Sequence, residues 1–319
     1  MRFLQDSIVK WLVKEKFVKE TEFGVETKFV SACSCGRERL SLQSVDWLID
    51  DDIEPLDWYP YERLEYDNGT SFLKRRDATR IDELFTRRNL VALASLWDAI
   101  RRLRVKSSVR NCLKLAFMAT LARSSKMCRE KGGTWPINSY WIPRTYVVRN
   151  PYVVFKNAVD QISRMLEFRL AVKSGSVDEV INGHADVTFL LADSTKFQLP
   201  ANSIDYVIID PPHTDEAQFF ELSLFYTSWL KRRLDFNHEL VINSKQKKDI
   251  NTYYEMLREV TFRIYNSLKI NGYYTTILHK NDQKVLDNCM DVICDVGFKL
   301  IEEETINGYT IYTFKKAAM

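Results

Sequence analysis

Asp210-Pro211-Pro212 follows directly on the apolar run Ile204–Ile209, and its residue types suggest one kind of chemistry. Proline fixes φ and carries no N–H, so two in a row present carbonyl acceptors on a stiff backbone beside the Asp210 carboxylate. A rigid acceptor cluster suits an exocyclic amino group, whose lone pair is conjugated into its ring. Hydrogen bonds from that amine to Asp210 and to the Pro211 carbonyl favour the pyramidal, nucleophilic form. The carboxylate then stabilises the positive charge that develops on nitrogen. A proline pair can also simply end a strand. Here the order of apolar strand, Asp-Pro-Pro and helical pattern favours a site at the carboxyl end of a strand, where open α/β sheets bind ligands.

A second feature is electrostatic. Lys74–Arg149 holds 18 basic and 5 acidic residues, although the whole chain carries a net charge of only +3. A near-neutral chain this polarised points to a basic face for a polyanion, and so to nucleic acid. The candidate phosphate contacts are Arg87, Arg88, Arg101, Arg102, Arg104, Arg144 and Arg149. The stretch holding Trp135, Tyr140, Trp141 and Tyr146 suits base stacking beside Arg144 and Arg149, and equally suits packing between domains. Other chemistries have less support. Cys33-x-Cys35 with Gly36 would be half of a zinc ribbon, but no second pair lies near it, and no metal site is expected. His279 falls on the same strand-end rim as Asp210, a place where histidine is more often a surface hydrogen-bonder. No serine nucleophile accompanies a His/Asp pair.

The elements that must position these residues fall into three regions. Residues 1–73 read as an amphipathic helix followed by short strands, with Asp67-Asn68-Gly69-Thr70 as a hairpin turn. Residues 74–184 read as helical, with patterns ending near Arg104, over Val109–Arg129 and over Tyr152–Leu170. In residues 185–319, Val187–Leu191 and Ile204–Ile209 read as buried parallel strands. Helices follow at Glu216–Leu230 and Tyr253–Leu268, then a strand at Gly272–Leu278 and a helix at Lys284–Val296. Strands at Phe298–Thr305 and Tyr309–Lys315 flank Asn307-Gly308, a strong hairpin signal. The alternation predicts an α/β, doubly wound sheet closed by an antiparallel hairpin. With 319 residues, 45% apolar and 28% charged, the composition is that of a globular protein of about two domains. No apolar stretch approaches the ~18 residues of a membrane span, and no signal-peptide core is visible. Scattered cysteines make a reduced, cytoplasmic location the default.

The window from Leu191 to Leu230 resembles the catalytic region of S-adenosylmethionine-dependent amino-methyltransferases of DNA, the adenine N6 and cytosine N4 methylases. Those carry Asp/Asn/Ser-Pro-Pro and then an aromatic residue, a place held here by His213, whose ring can still stack on a flipped base. Glu221-Leu222-Ser223, Trp229-Leu230-Lys231-Arg232 and Phe85-Thr86-Arg87-Arg88-Asn89-Leu90 are similar to a subgroup of that family. The resemblance implies a partial Rossmann-like methyltransferase sheet, with Asp210, Pro211, Pro212 and His213 as catalytic residues. It implies that Asp193, followed by Ser194, meets the adenine amino group of S-adenosyl-L-methionine. The family's Gly-rich cofactor loop has no counterpart among the ten glycines of this chain. The expectation is therefore the second half of a catalytic domain, working on DNA with a second polypeptide that carries the cofactor loop. A non-catalytic DNA-binding subunit and an RNA methylase are the alternatives.

Overall fold

The computed structural model describes residues 55–72, 78–129, 140–143, 146–167, 172–212, 214–232, 235–278, 282–306 and 309–317. The expected N-terminal helix, Cys33, Cys35, Trp135, Arg144, His213, His279 and the Asn307-Gly308 turn lie outside them. The chain divides into two compact units: the described residues of Met1–Arg169 with Glu221–Arg233, and those of Leu170–Phe220 with Leu234–Met319. The described residues are mixed α/β, with seven α-helices and one four-stranded sheet.

In the first unit, α1 (Arg87–Arg102), α2 (Ser107–Arg123) and α3 (Pro151–Glu167) pack against one another. Thr86 caps α1 by accepting from the Asn89 N–H, and Leu90, Leu93, Ala94, Leu96, Trp97 and Ile100 supply its buried stripe. The Asn89 side chain is buried and donates to the carbonyls of Ser124 (2.8 Å) and Arg149 (2.9 Å), tying the start of α1 to the end of α2 and the approach to α3. Asn150 accepts from the Tyr152 N–H, and Pro151 fills the first turn of α3. Trp229 is fully buried, with the rings of Phe117 at 5.1 Å, Trp58 at 6.2 Å, Phe85 at 6.4 Å and Trp97 at 6.5 Å. Gly69 takes φ +80° in the expected turn, which is pinned by Tyr66 and Thr70. The flanking residues pair only as single bridges, at Glu65–Ser71 and Arg63–Arg80.

The second unit holds α4 (Val177–Ile181), strands β1 (Ile204–Ile209) and β2 (Leu268–Leu278), α6 (Ile250–Ser267), α7 (Gln283–Asp295), and strands β3 (Phe298–Ile306) and β4 (Tyr309–Lys316). A further helix, α5 (Phe219–Thr227), begins in this unit and continues in the first from Glu221. The strand order is β1-β2-β4-β3, with β1 parallel to β2 and the other pairs antiparallel. Val207, Ile209, Tyr274, Leu278, Tyr312 and Phe314 point to one sheet face, where Tyr253, Leu257 and Tyr265 of α6 and Leu286, Cys289 and Ile293 of α7 complete the core. Gly272 lies where β1 and β2 run close: a Cβ there would sit 2.9 Å from the Lys269 carbonyl oxygen and 3.0 Å from that of Asp205. The buried Lys316 ammonium donates to the carbonyls of Tyr265 and Leu268, both at 2.7 Å, and to Asn202 Oδ1 at 3.1 Å. It thereby satisfies carbonyls at the end of α6 that have no partner within the helix.

One expected element differs. Val187–Leu191 is not a strand: Val187 makes a single parallel bridge to Ser174, and Phe189 and Leu191 are 86% and 96% exposed. An apolar run becomes a strand only when a neighbouring strand takes up its backbone donors and acceptors.

Candidate functional site

β1 carries the chain to Asp210, which is exposed, and to Pro211, which is buried. The Pro212 carbonyl already accepts two hydrogen bonds, from the Thr214 N–H at 2.9 Å and the Tyr253 O–H at 3.0 Å. Among the described residues none donates to the Pro211 carbonyl, so of the two proline acceptors that one remains beside Asp210. Burial pushes the Tyr253 phenol well above its ordinary value, so it stays a donor. Thr214 holds φ +52°, a left-handed conformation costly for a β-branched residue, and its carbonyl is fixed by the Ile242 N–H. The loop after β1 is thus clamped on both sides of the strained residue.

The clamp extends through a polar network. The Gln218 amide donates to the Asp215 and Ile242 carbonyls and accepts from Asn243 at 2.6 Å. The Glu239 carboxylate accepts from the Phe220 N–H at 2.7 Å and from Gln246 at 2.6 Å. Lys248, buried, donates to the Phe236 and Glu239 carbonyls at 2.6 Å, and desolvation lowers its pKa. The sequence singled out none of Tyr253, Glu239 and Lys248. They lie 29 to 43 residues from Asp210, and no local spacing connects them to it.

Asp193 closes its own turn. One carboxylate oxygen accepts from Thr195 N–H (2.9 Å) and O–H (2.7 Å). The other is buried without a hydrogen bond, 3.5 Å from His238 Nδ1 and 3.7 Å from Lys196 Nζ. Burial would raise this pKa, but the Thr195 donors and the nearby Lys196 and His238 outweigh it, and the net shift is downward. Ser194 is exposed. Thr195 accepts from Arg263 of α6, about 15 Å of helix rise beyond Tyr253. Asp193 and Asp210 are therefore anchored at different levels of α6.

In the first unit, Tyr59, Arg80, Asp82, Glu83, Phe85, Arg87, Leu90 and Lys126 line a cleft of about 520 Å³ at the start of α1. Arg80 grips the buried Asp82 with two hydrogen bonds, of 2.9 and 2.6 Å, and the Arg87 guanidinium stands over the Tyr59 ring at 5.9 Å. Arg88 is half-buried, and desolvation lowers its pKa. Arg101, Arg102 and Arg104 sit at the other end of α1, about 20 Å away by helix rise, where Asp98 holds Arg102 at 2.7 Å and Arg101 at 3.9 Å. The proposed phosphate contacts thus form two groups, with Arg87, Arg88 and Arg149 at the start of the helix. Of the aromatic stretch, Tyr140 is buried, its O–H donating to the Glu221 and Leu222 carbonyls and accepting from the Phe225 N–H. Trp141 lies under the Arg129 guanidinium at 4.6 Å. Tyr140 therefore serves packing, and the buried Glu221 accepts from Tyr66 at 2.7 Å.

The described residues contain no cluster of His, Cys, Asp and Glu able to hold a metal ion, and no helix long and apolar enough to cross a membrane. Toward S-adenosylmethionine the described residues offer one candidate group, the Asp193 oxygen that makes no hydrogen bond, and that oxygen is buried. No described glycine forms a cradle for the methionine part, since a Cβ on Gly175 would meet Ala185 at 2.7 Å and Gly272 is packed between backbones. No family model matches the sequence, and no curated protein is significantly similar to it. Two crystal structures of a Thermus thermophilus protein, provisionally designated a DNA modification methylase, align in part. One shows 11% identity over 46% of this chain and 53% of that one. The other shows 10% over 47% and 56%, and the TM-score is 0.24 for both. The alignments span about half the length of those structures. Likeness of that size transfers neither fold nor activity.

Proposed function

We propose that this chain is one subunit of an S-adenosylmethionine-dependent amino-methyltransferase acting on DNA. The observation that carries this is the clamped Asp210-Pro211-Pro212 turn at the carboxyl end of a parallel strand, with the Pro212 carbonyl occupied and no donor to the Pro211 carbonyl among the described residues. A base flipped into this turn would donate its amino hydrogens to Asp210 and Pro211. The lone pair would then localise on nitrogen, and the Asp210 charge would stabilise the ammonium character that builds as the new N–C bond replaces the sulfonium S–C bond, the thioether departing and the surplus amine proton being lost to solvent. Adenine N6 is favoured over cytosine N4 because the leading motif residue is aspartate. The cofactor supplies the electrophilic methyl group, and a second polypeptide supplies the Gly-rich half of its site. The arginines of the first unit supply phosphate contacts.

The test uses enzyme purified from its host with its bound partner. Asp210→Ala should reduce methyl incorporation into DNA by roughly a hundredfold or more while leaving DNA affinity unchanged. Full activity in that variant removes the assignment. A second reading, a DNA-binding subunit without turnover, is favoured by the missing glycine cradle. It predicts no incorporation by the wild-type complex.

A further inference from the structure

Three features of the second unit coincide at one edge of its sheet. β1 is the outermost strand, with β2 on one side and no strand on the other among the described residues. Helices α6 and α7 both pack on the face carrying Val207 and Ile209, so the opposite face has neither. On that opposite face the apolar residues beside the free edge are exposed: Ile208 is 64% exposed, Tyr206 46% and Tyr273 39%, with Tyr206 beside Tyr273 in register, and a second apolar pair, Ile306 with Tyr309, lies across the sheet at the β3–β4 end. Between the two apolar patches the same face carries Thr275, Thr313, Glu302 and Glu304. An open apolar strand edge is one that soluble proteins otherwise protect.

Topology says what fits there. Parallel crossovers are right-handed, and the β1-to-β2 connection places α6 on the covered face. Strands added beyond the free edge of β1 progress in the opposite direction, so their right-handed crossovers put helices on the bare face. We infer that the β1 edge is the seat of a second polypeptide. It contributes a strand parallel to β1 and a following helix laid over Tyr206 and Ile208. Joining there makes the carboxyl end of β1, with Asp210, the point where strand order reverses, and such points form ligand crevices. The inference deepens the two-chain reading above and rests on it for the partner's existence, but not on the methyl chemistry.

Photo-crosslinking in the native host tests it. With p-benzoylphenylalanine at position 206 or 208, the full chain should link to one other polypeptide, through a segment comprising an apolar strand and the helix after it. At Glu304, on the same face near the far edge, it should not. Ile208→Lys should lower recovery of that polypeptide at least about tenfold, the effect of one uncompensated charge at a buried seat, with near-ultraviolet circular dichroism unchanged. Adducts of twice the chain mass, links to residues 1–54 of the same chain, equal linking at position 304, or none at 206 and 208 would each overturn the inference. Asp210→Ala should leave the crosslinks intact. A complex joined at this edge that transfers no methyl group would refute the proposed function and spare the seat.

Discussion

Lys316 shows how much one side chain can hold. Its ammonium is nearly out of water, and burial lowers its pKa, yet three acceptors converge on it from Asn202, Tyr265 and Leu268. The cation also lies over the Tyr265 ring at 4.6 Å. Methionine would keep the stem's packing but leave two helix-end carbonyls dry. Lys316→Met should therefore destabilise the second unit by about 2 kcal/mol, read as a lowered urea midpoint with unchanged slope. Tyr253 belongs to the same scale, because one phenol decides which proline carbonyl is spent. Neither role can be read from the sequence. A lysine at the end of a strand looks solvent-facing, and a tyrosine in a helical pattern looks like core. Asp210 was legible as a candidate because the chemistry proposed for it is contained in three consecutive residues. Its support was not, because folding alone makes Tyr253 and Ile242 neighbours of the turn.

Among elements, α6 begins on Asp249, whose carboxylate accepts from the Thr252 N–H (2.8 Å) and O–H (2.9 Å). Those donors hold the Asp249 pKa below its ordinary value. A carboxyl whose folded-state pKa is depressed contributes fully above the ordinary carboxylate range, and that contribution is lost as pH falls through the lowered value. Asp249→Ala should reduce stability near neutral pH, and the difference from wild type should vanish on acidification, as followed by urea midpoints across pH 2–7. The boundaries of elements show where sequence patterns stop informing. The apolar period predicts a second helix continuing to Arg129, but α2 ends at Arg123. There the Ser125 hydroxyl turns back to the Ala122 carbonyl and the Lys126 N–H leaves for Leu84. The closing strands and the β1–β2 parallel pair follow their apolar runs. Val187–Leu191 does not, because periodicity reports a need for burial and not the presence of a neighbour.

For the whole molecule, charge is the long-range property. The first unit carries most of the basic excess, but Asp98 neutralises part of it at the end of α1 by pairing with Arg102 and Arg101. If those arginines meet phosphates, Asp98→Ala should strengthen DNA binding several-fold at low salt. It should also steepen the dependence of log affinity on log salt by roughly 0.9 for each phosphate gained. An unchanged salt slope would assign the arginines to solvent. The sheet order has a consequence of another kind, in time. Since β4 lies between β2 and β3, the strand synthesised last of the four occupies an interior place. Until Tyr309–Lys316 has left the ribosome, β2 lacks its antiparallel neighbour and β3 has nothing to pair with. Lys316, at the very end of that strand, is then the fastener that arrives after everything it fastens. The sheet of the second unit therefore closes only once Tyr309–Lys316 is free of the ribosome, and not strand by strand. A nascent chain halted at Ile306 should remain open to protease throughout residues 204–306, while one extended past Lys316 becomes resistant in a single step.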